Sequence, residues 1–144
     1  MEENLREIRR RIEVAAQQAG RDPQSVQLLA VTKTVPVARV NEAILAGVDC
    51  IGENRVQEFL EKEPALLPCK KHFIGTLQSN KASKLAGKVS MVHSLSKEST
   101  AKALNNAWEG IGKKLKVLVQ VNVGKEASKD GVAPEEAEDF LKTV

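Results

Sequence analysis

The sequence predicts an α/β fold built on an all-parallel sheet. One leading amphipathic helix is followed by five short apolar stretches that alternate with five helical patterns, an order that calls for crossover connections and parallel strands. The first apolar stretch, Leu28-Leu29-Ala30-Val31, is continuous rather than alternating, as expected for a strand covered on both faces. No GxGxxG turn follows it and no GxxxxGK run with a final Ser or Thr occurs anywhere, so the usual phosphate cradles of nucleotide folds are missing. Periodicity alone leaves open an open doubly wound sheet or part of a closed eight-fold barrel.

Residues Asn4 to Ala19 place Leu5, Ile8, Ile12, Ala15, Ala16 and Ala19 at helical spacing, with Gly20 as the stop. Asp22-Pro23 breaks the pattern, and a strand is expected over Val26 to Thr32. Pro36 sits where the first helical residue belongs, Val37, Val40, Ala43 and Ile44 repeat with helical period, and Gly47 closes that helix. A strand over Asp49 to Gly52 leads into a helix carrying Val56, Phe59 and Leu60, stopped by Pro64. His72 to Gly75 is the third strand, followed by a polar turn and a brief helix through Leu85. Ser90 to His93 is the fourth, with Ser96 placed to cap the helix that bears Leu104 and Trp108. The fifth strand runs from Lys116 to Val123. A loop from Gly124 to Gly131, with Lys125, Glu126, Ser128, Lys129 and Asp130, precedes a helix opened by Pro134. That helix is still apolar-periodic at Val144, so the chain is expected to stop inside it, as a truncated product would.

Composition excludes several classes. At 144 residues and 42% hydrophobic content the chain has room for one domain with a real core. The 22 basic and 19 acidic residues are evenly spread, and three Phe, one Trp and no Tyr offer no stacking platform, which argues against nucleic-acid binding. The apolar runs are too short for a bilayer span. Met1-Glu2-Glu3-Asn4 lacks the pattern of a signal peptide, so a cytoplasmic location is expected. Cys50 and Cys69 match no metal spacing and are expected to be free thiols.

In a parallel sheet the residues just after each strand gather at one edge, where ligands bind. Here they are Lys33 and Thr34; Glu53 and Asn54; Thr76, Gln78, Ser79 and Asn80; His93 and Ser94; Asn122; and Lys129 from its loop. Lys33 is the candidate nucleophile, because an amine packed against apolar neighbours favours its neutral form. The plain alternative is a solvated lysine in a strand-to-helix loop, and Lys129 is read that way. The other groups are neutral hydrogen-bonding residues suited to orienting a polar planar ligand. No pair of His has metal-ligand spacing, and Glu53 has no carboxylate neighbour in sequence for acid–base work.

Five segments in order resemble the pyridoxal phosphate homeostasis proteins, single-domain relatives of the alanine racemase N-terminal barrel. They are Leu29-Ala30-Val31-Thr32-Lys33-Thr34, Ile51-Gly52-Glu53-Asn54-Arg55-Val56-Gln57-Glu58, His72-Phe73-Ile74-Gly75 with Leu77-Gln78-Ser79-Asn80-Lys81, Val92-His93-Ser94, and Val119-Gln120-Val121-Asn122-Val123. The resemblance covers residues 1–144 as one domain and implies an incomplete (β/α) TIM barrel, with five of its βα units. It implies that pyridoxal 5'-phosphate is held as a Schiff base on Lys33, with Asn54 close to the cofactor and no catalytic residue; Ser79, Asn80, His93, Ser94 and Asn122 are expected as further cofactor-binding residues from their places at the strand ends. The implied role is a non-catalytic carrier in cofactor homeostasis, with cofactor-dependent apoenzymes as acceptors. A racemase-like enzyme or a cofactor-free interaction module are the alternatives. Thr76 stands where the family often has His or Ala. The family continues for about three more strands that bring the phosphate-holding segments, so weak binding by this polypeptide alone, or self-association through open barrel edges, is expected.

Overall fold

The five strands lie side by side in the order of the chain. The computed structural model describes residues 1–126 and 129–144. It forms β1 (Leu29–Val31), β2 (Cys50–Glu53), β3 (Lys70–Phe73), β4 (Met91–Leu95) and β5 (Lys116–Val119) into one sheet of order β1-β2-β3-β4-β5, and all four pairings are parallel. A doubly wound sheet reverses its strand order at a switch point, whereas a barrel is wound sequentially. The topology therefore decides the alternative that periodicity left open, in favour of a partial TIM-barrel-like fold. Ser128, singled out in the loop after β5, lies outside the described residues.

Register sorts the side chains into two faces. Glu53, Phe73, Val92 and Val117 form one row across β2 to β5. Phe73 and Val92 on that row are buried against the helices, in a cluster with Phe59, Leu77, Leu85, Leu104 and Trp108. Phe59 comes from α3 (Val56–Lys62), and Leu104 and Trp108 from α4 (Glu98–Glu109). Each such side chain contributes about 1.5–3 kcal/mol by leaving water. A second cluster joins Val40, Val48 and Ile51 to Leu5 and Ile44, so α1 (Glu2–Gln18) and α2 (Val37–Leu45) cover the β1–β2 end. The row Val31, Gly52, His72 and Met91 faces the other way.

Several sequence expectations need correcting. The first strand is three residues long, not seven: Val26 closes a 3-10 turn over Pro23–Ser25, and the Leu28 N–H is taken by the Asp49 carboxylate at 2.5 Å instead of a ladder carbonyl. Nor is it covered on both faces. Val31 is 51% exposed, because β1 is a sheet edge and its face away from the helices has no opposite wall. Pro36 is the N-cap of α2 rather than its first residue. Ser96 does not cap α4: the first-turn amides of Thr100 and Ala101 bond to the Lys97 carbonyl, so the helix starts one residue later and has no side-chain cap. The brief helix before Leu85 is a 3-10 segment, Ser79–Leu85, and α5 (Ala137–Thr143) is preceded by a 3-10 turn over Pro134–Glu136. Gly20 and Gly47 do end their helices, at φ of +64° and +93°.

Candidate functional site

A cavity of about 460 Å³ opens at the carboxyl ends of the strands, on the side away from the helices. It is lined by Val31, Lys33, Asn54, Arg55, Ile74, Gly75, Thr76 and Gln120. Four strand ends supply it, those of β1, β2, β3 and β5. Lys33 reaches it because β1 stops at Val31 while Thr32 still donates its N–H to the Gly52 carbonyl at 3.0 Å. The chain then turns through Thr34 at φ +61°. Lys33 is exposed, not packed among apolar neighbours as the sequence suggested, since the strand edge beneath it is open.

Asn54 follows β2 directly, and its Oδ1 is buried with no hydrogen-bond partner. Leaving a buried acceptor unpaired costs about 1–3 kcal/mol; such groups mark places where a ligand completes the pairing. Gly75 explains how the site closes behind Asn54. A Cβ on Gly75 would lie 2.1 Å from the Asn54 carbonyl oxygen and 2.6 Å from its Cα, so the two backbones touch only because residue 75 has no side chain. The Ile74 N–H donates to the Glu53 carbonyl at 2.8 Å and ties the same two strand ends together.

The other predicted residues are more scattered. Ser94 is buried and its hydroxyl donates to the Gly75 carbonyl at 2.5 Å. Asn122 donates to the carbonyls of Glu126 and Lys129 at 2.9 and 3.3 Å, holding the loop after β5. His93 lies 2.9 Å from His72, Nε2 to Nδ1. Burial pushes the pKa of both rings below the ordinary histidine value, and for His72 the neighbouring His93 and Lys70 add to it. Ser79 and Asn80 are exposed on the 3-10 segment. None of these five lines the cavity. Glu53 is 1% exposed and faces the helices, with its Oε1 accepting from Thr32 Oγ1 at 2.6 Å and from Lys62 Nζ at 3.0 Å.

Sequence reasoning passed over Arg55 and Gln120. Arg55 brings a guanidinium, which suits an anionic or phosphate group; its signal was its place directly after Asn54 at a strand end. Gln120 was read as part of a long fifth strand, although one polar residue in an apolar run is a cue to a strand end. Its Nε2 donates to the Asp130 carbonyl at 2.9 Å, while the Asp130 carboxylate accepts from Thr76 Oγ1 at 2.8 Å. The residues lining the cavity therefore bring an amine, a guanidinium, the Asn54 amide with its unpaired buried oxygen, and two further polar groups around Val31 and Ile74.

Comparison with known proteins matches the alanine racemase N-terminal domain over residues 4–144. The chain belongs to that family. It is 47% identical over 144 residues to a pyridoxal phosphate homeostasis protein of Pseudomonas aeruginosa, covering 99% of this chain and 63% of the relative. Its fold superposes on a protein of unknown function from Bifidobacterium adolescentis with a TM-score of 0.85 at 32% identity, covering 99% of this chain and 62% of the other. It also superposes on PipY of Synechococcus elongatus with PLP bound, at a TM-score of 0.71 and 33% identity, covering 92% and 65%. The chain thus spans less than two thirds of the length of these relatives. Among the described residues no helix is long and apolar enough to cross a membrane.

Proposed function

We propose that this chain binds pyridoxal 5'-phosphate as part of a cofactor-homeostasis protein, holding it as a Schiff base on Lys33 with Asn54 as the positioning group. The observation that carries the reading is that Lys33 and Asn54, whose buried Oδ1 has no partner, line the same cavity. The residues fit the cofactor: an amine for its aldehyde, an unpaired acceptor for a ring substituent, a guanidinium for an anionic group, and apolar floor for a flat ring. In the covalent step the unprotonated amine adds to the aldehyde carbon and water leaves as the C=N bond forms. Ser94 and Asn122 contribute through the backbone they hold at Gly75 and in the loop after β5; Ser79, Asn80 and His93 lie off the cavity. The names of the relatives and the PLP-bound PipY structure support the assignment. The homeostasis names also favour a carrier over a catalyst; the proposal extends to action in the cytoplasm, transfer of cofactor to apoenzymes and self-association through the open sheet edges.

The test is titration of the 144-residue chain with pyridoxal phosphate, followed by borohydride reduction and peptide mapping. A saturating imine band trapped on Lys33 and lost in Lys33→Ala is the expected result. A folded chain that gives no band, or traps cofactor on many lysines without preference, overturns the proposal.

A further inference from the structure

An ionic cluster of Lys62, Glu53 and Glu58 lies directly behind Lys33, with one buried carboxylate oxygen, Glu53 Oε2, unpaired. Lys62, the last residue of α3, points back across the sheet to the end of β1. Its Nζ donates to the Thr32 carbonyl at 2.8 Å, to Glu53 Oε1 at 3.0 Å and to Glu58 Oε1 at 2.6 Å, which uses all three of its donors. Glu58 Oε1 also accepts the Thr34 N–H at 2.5 Å. Thr32 Oγ1 donates to Glu53, and Thr34 Oγ1 donates to the Lys33 carbonyl at 2.6 Å. The residues on both sides of Lys33 are thus bound by side chains of one helix, while Lys33 itself makes none of these contacts with its amine.

We infer that Glu58 and Lys62 form a clamp that fixes the backbone at Thr32 and Thr34 and so directs the Lys33 amine into the cavity beside Asn54. The inference rests on the reading of Lys33 as the cofactor lysine. Thr34 is a β-branched residue at φ +61°, an unfavourable conformation for such a side chain that persists only where the surroundings hold it. The turn is closed by the Val35 N–H on the Thr32 carbonyl at 3.1 Å, and the Glu58 carboxylate on the Thr34 N–H adds a side-chain hold from α3. Lys62 and Glu58 reinforce each other's charged forms. Burial opposes the Lys62 charge, but its bonds to Glu58 and Glu53 outweigh this and raise its pKa, while Lys62 and then the Thr34 N–H lower that of Glu58. A buried ion pair is poor evidence for net stability. Its geometry here is suited to preorganisation, which strengthens binding by removing freedom the free state would otherwise lose.

Glu58 and Lys62 are positioning residues, since neither lines the cavity. The test compares wild type, Glu58→Ala and Glu58→Gln, each checked for folding by circular dichroism. It reads the imine equilibrium with pyridoxal phosphate and, without cofactor, the exchange rate of the Thr34 amide. Gln keeps an oxygen acceptor for Thr34, so it should match wild type within about twofold in both readouts, whereas Ala should weaken the imine about tenfold and expose the amide. If Glu58→Ala does not fold, Glu58→Met, similar in volume and lacking an oxygen acceptor, replaces it. An unchanged imine equilibrium in a folded Ala or Met variant overturns the clamp, whatever the Thr34 amide does. If wild type forms no imine yet Thr34 protection is lost in the variant, the backbone clamp stands and the cofactor reading falls; if protection is also unchanged, both fall.

Discussion

Replacing Gly75 by alanine tests whether the site depends on the close approach of two strand ends. The new Cβ would sit 2.1 Å from the Asn54 carbonyl oxygen, 2.6 Å from its Cα and 2.7 Å from its carbonyl carbon. Those distances are roughly 0.8–1.4 Å inside ordinary contact, and every obstructing atom is backbone, so no side-chain rotation relieves it. The ends of β2 and β3 must separate, which strains the Ile74 N–H bond to Glu53 and the Ser94 bond to Gly75. Overpacking costs about 1–3 kcal/mol, and each weakened hydrogen bond up to about 1 kcal/mol, giving roughly 2–4 kcal/mol together. In urea unfolding that is a fall in midpoint of about 1–2 M for a domain of this size. Gly52→Ala is the matched control. Its Cβ meets the side-chain tips of Leu29 at 2.7 Å and Ile74 at 3.1 Å, which can move towards the open face, so it should cost about 1 kcal/mol or less. Equal losses at the two positions, or a loss below about 0.5 kcal/mol for Gly75→Ala, would refute the argument. The same variant should weaken the imine on Lys33, because Asn54 moves with the β2 end.

Two other perturbations separate function from stability. Asn54→Ala removes a buried, unpaired acceptor, so urea unfolding should show stability within about 1 kcal/mol of wild type while pyridoxal phosphate binding weakens about tenfold; a large stability loss with unchanged binding would mean the residue is structural. The His72–His93 pair predicts a pH dependence. Both folded pKa values lie below the ordinary 6.5, so the unfolded chain binds more protons on acidification, and stability is complete above pH 6.5 and falls as pH drops through the folded values. Asp49 and Glu63, whose pKa values are lowered from 3.8 and 4.5 by their partners Arg9, Lys88 and Lys71, lose their contribution only at lower pH. The urea midpoint should therefore decline between pH 7.5 and 5.5 in wild type and much less in His72→Asn/His93→Asn; a flat wild-type profile there would rule the pair out as its source.

The sequence made the sheet legible because each strand is a short apolar run closed by a helix-starting or polar turn. Its boundaries were less legible because they are set by side chains far away in the chain. Asp49 takes the Leu28 N–H and shortens the first strand. The third strand begins at Lys70 rather than His72, and Lys71, with a charged side chain that looks unlike a strand, is held there by its ion pair with Glu63 at 3.1 Å. Lys33 and Asn54 could be brought together from the sequence because both directly follow strands. The pairing of His72 with His93 could not, since it depends on the register that sets His72 opposite Met91 and brings His93 one step further along the same face.

Lys62 carries the same lesson furthest. In sequence it is a basic residue in the last turn of a helix, a placement fully explained by the helix dipole. In space it spans from α3 to the carbonyl that precedes Lys33, a contact 30 positions away in sequence. The two polar residues at the end of β2 divide by face. Glu53 is turned to the helices and into the cluster, with its Oε2 buried and unpaired, whereas Asn54, one residue later, lines the cavity. Alternation along a single strand end thus separates a support from a ligand-facing group. A Glu53→Gln substitution should disturb the cluster and the Thr32 hydroxyl before it touches the cavity, so its first effect should appear in unfolding and only secondarily in cofactor binding. Asn54→Ala should give the reverse order, and urea unfolding read beside the imine titration distinguishes the two.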